Sequence, residues 1–193
     1  MLALVTGATG LLGNNLVRLL LERGNRVRVL TRTSSDPKPL AGLAIEIAEG
    51  DIRDAPSVAK ACAGVDAVLH SAGHVKIGWS QPELYQAINV EGTRNVARAA
   101  REAGARMVHI STVDALGLGT LENPAHEETP PEELFEIPYV VTKRAAEGVV
   151  QEEIVRGLNA TIVNPGYMLG PWDWKPSSGR LLLNISAQWV PMT

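Results

Sequence analysis

Apolar residues along this chain fall into two patterns. Short blocks are apolar throughout or alternate: Leu2 to Thr6, "RVRVL" from Arg26 to Leu30, "LAIEIAEG" from Leu43 to Gly50, "DAVLHSAG" from Asp66 to Gly73, "RMVHI" from Arg106 to Ile110 and "ATIVNPG" from Ala160 to Gly166. These read as six strands. Between them, apolar residues recur at every third or fourth place. Leu11, Leu12, Leu16, Leu19 and Leu20 mark a helix that Gly24 ends, and a short helix is expected near Ala55 to Ala61. A long one runs from Pro82 to Ala103, with Ser80 and Glu83 spaced as a capping box and Gly104 closing it. Another runs from Tyr139 to Arg156, and one more precedes Thr193. Strands alternating with helices at this spacing require right-handed crossovers, so the expected fold is α/β, a doubly wound parallel sheet of Rossmann type covered on both faces.

Composition narrows the function. The 193 residues, 45% of them hydrophobic, suffice for one large core. A net charge of −3 with both signs interspersed offers no polybasic face, so neither nucleic acid nor a membrane surface is the expected partner. Cys62 is the only cysteine, which excludes an intrachain disulfide and a cysteine-based metal cluster; no metal site is expected. Met1 to Thr6 is too short for a signal peptide, and no stretch approaches the roughly 18 apolar residues of a membrane span. A cytoplasmic enzyme acting on a small molecule is the expectation.

In a doubly wound sheet, ligands bind outside the carboxyl ends of the strands. After the first strand stand Gly7, Gly10 and Gly13, in a strand–turn–helix setting that aims backbone amides and a helix dipole at a phosphate. Arg32 follows the second strand, Asp51 the third, Ser71, Ala72 and Gly73 the fourth, Ser111 and Thr112 the fifth, and Pro165 and Gly166 the sixth. An acidic residue about 20 positions past the glycines would bond a ribose 2′-hydroxyl, but that region reads Thr31, Arg32, Thr33. A guanidinium there suits a 2′-phosphate, which favours NADP over NAD, with Asp36 reaching the ribose as the other reading. Asp51 either accepts from an adenine amino group or only shapes a turn. Tyr139 and Lys143 share a helix face, and an ammonium beside a phenol lowers its pKa towards useful acid-base chemistry. His70, His74, His109 and His126 lack metal-ligand spacing; His70 and His109 are expected to be satisfied core or edge residues.

The segments "TGATGLLG", "GDIRD", "HSAG", "NVEGTRN", "HISTVDALG", "YVVTK" and "NPGYMLGPWD" resemble the extended short-chain dehydrogenases/reductases, near the dihydroflavonol reductases and nucleotide-sugar epimerases. That resemblance implies a triad of Thr112, Tyr139 and Lys143, with Ser111 competing for the first place: Thr112 bonds the substrate oxygen, Tyr139 transfers the proton, and Lys143 orients the ribose. It also implies that Thr9, Leu11, Ile52 and Met168 join the cofactor site, and that a homodimer forms through the two long helices, whose Val140, Val141, Val149, Val150 and Ile154 one sheet cannot fully cover. Two features depart from the family. Gly73 replaces a common alanine, and the chain ends soon after Trp172, Trp174 and Trp189. The expected division is therefore residues 1–170 as a dinucleotide-binding domain and 171–193 as the start of a truncated or incomplete substrate lobe. An NADP-dependent reductase is the leading expectation, ahead of a nucleotide-sugar epimerase with tightly bound NAD and of a non-catalytic dinucleotide-binding module.

Overall fold

The computed structural model describes residues 1–75, 81–130, 137–176 and 178–188. Six strands, β1 (Leu2–Thr6), β2 (Arg26–Thr31), β3 (Glu46–Glu49), β4 (Ala67–His70), β5 (Arg106–Ile110) and β6 (Ala160–Val163), form one sheet in the order β3-β2-β1-β4-β5-β6. Every neighbouring pair is parallel. The order reverses between β1 and β4, so the crevice at their carboxyl ends is the topological switch point.

Helices α1 (Leu11–Glu22), α2 (Ala55–Cys62), α3 (Pro82–Tyr85), α4 (Gly92–Glu102), α5 (Pro138–Val155) and α6 (Gly179–Gln188) complete the chain. One sheet face packs Val5, Val27 and Val29 against Val17 of α1. The other packs Val68 and Met107 against Val96, Ala97 and Ala100 of α4 and Val150 of α5. Small side chains on α4 let it lie close to the sheet. Between α4 and α5, Glu153 is buried; burial pushes its carboxyl pKa up, but hydrogen bonds from Arg101 and Arg156, each 2.6 Å, outweigh this and hold it below the usual range. No helix among the described residues is long and apolar enough to cross a membrane.

The structure differs from the sequence reading at several element ends and turns. The third strand starts at Glu46 rather than Leu43. The fourth ends at His70 and the sixth at Val163, because the polar and turn residues beyond them leave the ladder. The long helix is interrupted at Gln86–Glu91 by a π-helical turn, a distortion often found at functional sites. Short 3₁₀ turns at Lys38–Leu40 and Val113–Ala115 carry too few residues to show a periodicity. Ser80 and Trp189 lie outside the described residues; the residue before Pro82 is Gln81, with φ of 60°. On α5, the fold itself buries Val140, Val149 and Val150, leaving Val141 and Ile154 exposed.

Candidate active site

The glycine turn is built by close approach. Gly7 has φ of +72°, and a Cβ there would stand 2.7 Å from the Ala72 amide nitrogen and the Ser71 carbonyl carbon. A Cβ on Gly13 would fall on the Gly7 carbonyl oxygen, nearer than any side chain tolerates. Glycine at both positions thus lets α1 start directly against β1 and β4. Gly10 sits at the N-cap of α1 and accepts from the Asn14 amide at 2.9 Å. Among the described residues no side chain caps α1, and no acidic residue stands in its first turn, so the first-turn amides, beginning with Leu11, keep their capacity and positive potential for an anion. Thr9 lies in the same turn, partly buried. Across the crevice, Ser71 Oγ donates to the Thr6 carbonyl at 2.7 Å, the Ala72 amide donates to Thr6 Oγ1 at 3.3 Å, and Gly73 is exposed. The uncapped first-turn amides of α1 fit the chemistry of a dinucleotide's pyrophosphate, and a Cβ at Gly7 or Gly13 would break the close backbone packing that holds this turn. Gly13→Ala is therefore expected to cost about 1–3 kcal/mol by overpacking, measured by urea denaturation, and to weaken dinucleotide binding. A variant as stable as the parent would show that this approach is not fixed.

Past β2 and β3 lies a charged group. Arg32 is exposed, immediately beyond Thr31. Asp51 forms a paired contact with Arg53, 3.0 and 2.7 Å, and also accepts from the Arg53 amide at 2.9 Å. The Arg53 hydrogen bonds hold the Asp51 carboxyl below its ordinary pKa against the effect of burial, and the Arg32 charge adds to this. Asp51 is thus a turn former in this structure. Asp36 accepts from the Lys38 amide at 3.0 Å. Ile52 points into the core, where a Cβ on Gly92 would meet its Cδ1 at 2.7 Å, and its carbonyl accepts from Asn95 at 2.9 Å, so only its remaining backbone faces the edge. Two shallow clefts, about 350 and 300 Å³, lie beside β2 and β3, and no candidate residue lines either.

At the end of β5 the three triad candidates meet. Thr112 is buried and donates to Asp114 Oδ2 at 3.0 Å, and its hydroxyl lies near enough to the Tyr139 phenol to influence that group's pKa. Of the two neighbouring hydroxyls it is Thr112, not Ser111, whose influence reaches the phenol. Lys143, one turn beyond Tyr139, is buried, and its Nζ donates to the Ile110 carbonyl at 2.6 Å. Pro165, past β6, closes this end by accepting from the Val113 amide at 3.1 Å, and Met168 follows, partly buried.

The electrostatics correct one expectation. Burial raises the Tyr139 pKa above the ordinary phenol value, the Thr112 hydroxyl opposes this, and the Asp114 charge adds to it; Lys143 is not among these influences. Burial also pulls Lys143 itself down to about 8, partly offset by Glu147. The shared helix face brings lysine and tyrosine near one another, but the ammonium is engaged by a main-chain carbonyl.

Sequence reading missed the residues that brace this cluster. Asn89, in the π-helical turn, accepts from the His74 amide at 2.7 Å and donates to Thr142 Oγ1 at 3.1 Å, tying the β4 loop to α5. Asn164 donates to the Thr112 carbonyl at 3.0 Å and to Glu147 at 2.7 Å. Only Glu147, four residues after Lys143, had a legible signal in its helical spacing. His70 is satisfied by Thr6 at 2.7 Å and Thr93 at 3.0 Å, and burial, with the Lys143 charge, lowers its pKa to about 3. His109 corrects the reading that both core histidines are satisfied. Its ring lies 5.4 Å from that of His70, yet among the described residues neither of its nitrogens nor Ser111 Oγ has a partner, because the two threonines serve His70 alone.

A parallel sheet whose switch point carries a glycine turn, with a hydroxyl, a phenol and an amine at the end of the next strand, defines a Rossmann-type nucleotide-binding fold. The chain belongs to the NAD dependent epimerase/dehydratase family, which it matches over residues 3–189. It is 46% identical to sterol demethylase protein B of Methylococcus capsulatus, over 96% of this chain and 57% of that protein. It is 35% identical to human 3 beta-hydroxysteroid dehydrogenase type 7, over 77% of this chain and 43% of that protein. Among solved structures it resembles gox2253 (TM-score 0.88, 40% identity, 98% of this chain and 59% of that one). It also resembles the UDP-glucose 4-epimerase of Thermus thermophilus in complex with NAD (TM-score 0.80, 26% identity, 95% and 61%). The chain thus spans a little over half the length of the first of these relatives.

Proposed function

We propose that this chain carries the cofactor site and the acid-base group of an NADP-dependent oxidoreductase that reduces a carbonyl, or oxidises the matching secondary alcohol, on a small organic molecule. The observation that carries this reading is the meeting of buried Thr112, Tyr139 and buried Lys143 at the end of β5, where Lys143 Nζ bonds the Ile110 carbonyl, near the glycine turn. A dinucleotide, when bound, supplies or accepts the hydride. Tyr139, kept protonated by burial, donates its proton to the carbonyl oxygen as the alcohol forms, and Thr112 holds that oxygen by a hydrogen bond. Lys143, buried and pointing at the sheet edge, holds the ribose hydroxyls. Gly7, Gly10, Gly13 and the first-turn amides of α1 hold the pyrophosphate, and Arg32 the 2′-phosphate. Relatives named as a hydroxysteroid dehydrogenase and a 2-alkyl-3-oxoalkanoate reductase support a secondary alcohol or ketone on an apolar frame as the substrate class. The exposed Val141 and Ile154 of α5 support a second copy of the chain covering that face.

Thermal denaturation with NADPH, NADH or neither tests the cofactor assignment. At about a hundredfold excess over Kd, NADPH is expected to raise Tm by roughly 5–10 °C, and NADH by less. NAD released from the purified, denatured protein in stoichiometric amount would replace this reading with that of an epimerase, the activity named for the Thermus structure.

A further inference from the structure

The segment after β6 must cross the sheet. It leaves the carboxyl end of β6 at one edge, where Pro165 bonds Val113, and next touches the start of α1, beyond β5 and β4. Three strand spacings, about 14 Å, separate β6 from β1. A Cβ on Gly170 would stand 3.8 Å from Leu11, the first residue of α1. One turn on, Asn15 Nδ2 donates to the Pro171 carbonyl at 2.8 Å, and the Arg18 guanidinium lies 3.6 Å from the centre of the Trp172 ring. Trp172 stacks in turn on Trp174 at 6.2 Å, with the Lys38 ammonium 5.6 Å from the Trp174 ring. The segment therefore runs from the edge strand β6 back to the first two turns of α1, the helix whose N-terminus no side chain caps.

Its attachment is tied to the glycine turn. Asn14, fully buried, donates to the Ala8 carbonyl inside that turn at 3.2 Å and to the Pro39 carbonyl at 2.8 Å, while its Oδ1 accepts from Arg18 Nε at 2.9 Å. A continuous path thus runs from the turn through Asn14 and Arg18 to Trp172. Trp172 has φ of 67°, a region that bulky residues occupy only when their surroundings impose it. Trp172 is 43% exposed, and the contacts that hold this stretch are the Arg18 stack on its ring and the Asn15 bond to the carbonyl before it.

We propose that residues 166–174 form a strap over the bound dinucleotide, and that Arg18 and Trp172 are positioning residues that pin it to α1 and slow cofactor release. The proposal rests on the dinucleotide reading above. Cofactor dissociation from the chain is followed by stopped-flow fluorescence, displacing NADPH (or NADH, if that is what binds) with excess oxidised dinucleotide. Arg18→Ala and Trp172→Ala are expected to release it roughly 2- to 30-fold faster, the range a cation–π contact contributes, with Tm in the absence of cofactor little changed. Trp172→Phe, which keeps an aromatic face, should release it at close to the parental rate. In the parent chain, hydrogen exchange of amides 166–174 should slow when the dinucleotide is added, a readout that needs no variant to fold. Binding with unchanged release rates, or no added protection of the segment, overturns the strap and leaves the dinucleotide reading standing. No saturable binding of either dinucleotide by the parent chain overturns both.

Discussion

Tyr139→Phe is expected to lower turnover by about 10² to 10⁴ while leaving dinucleotide affinity intact. The phenol stands beside buried Thr112 and is raised in pKa by its own burial. Phenylalanine keeps the ring's packing and removes only the hydroxyl and its proton. Steady-state rates with a saturating ketone, beside a titration of cofactor binding, separate the two effects; near-parental turnover would remove Tyr139 from the chemistry. The neighbouring carboxylate gives a sign to the pH dependence. Asp114 raises the Tyr139 pKa, so Asp114→Asn should lower it. For alcohol oxidation, which needs the phenolate, the alkaline rise in rate should then move to lower pH.

Arg32→Ala should weaken NADPH binding by roughly 10- to 150-fold and leave NADH almost unchanged, because a charge-assisted hydrogen bond contributes about 1.5–3 kcal/mol. Arg32 stands free of side-chain hydrogen bonds among the described residues, whereas its neighbour Arg53 is engaged by Asp51, so of the two it is Arg32 that is available for a 2′-phosphate. Arg32→Asp should go further, repelling that phosphate and offering NADH an acceptor for its 2′-hydroxyl. The dissociation constants must be compared at one ionic strength, since an exposed charge is screened by salt. Equal losses for both dinucleotides would make Arg32 structural, and a parental preference for NADH would turn attention to Asp36.

What the sequence by itself determined is whatever depends on neighbours along the chain. The β1 block, the glycine turn and the leucine spacing of α1 are adjacent, so local sterics and periodicity fix both the turn and the helix that it starts. The four-residue spacing of Tyr139 and Lys143 fixes their common face, and alternation of strands with helices fixes a parallel sheet. Tertiary structure decided what those residues touch. Lys143 bonds the Ile110 carbonyl, 33 residues away in sequence, and the Tyr139 phenol shifts upward rather than downward. Both outcomes follow from desolvation by elements that periodicity cannot place, and burial outweighs any charge that helical spacing alone brings near. The π-helical turn that sets Asn89 between His74 and Thr142, the imidazole of His109, unpartnered among the described residues beside a satisfied His70, and the path from Ala8 through Asn14 and Arg18 to Trp172 likewise exist only once distant segments pack. A pattern of apolar positions states which face is buried; it carries no information about which polar atom from another element will meet it there.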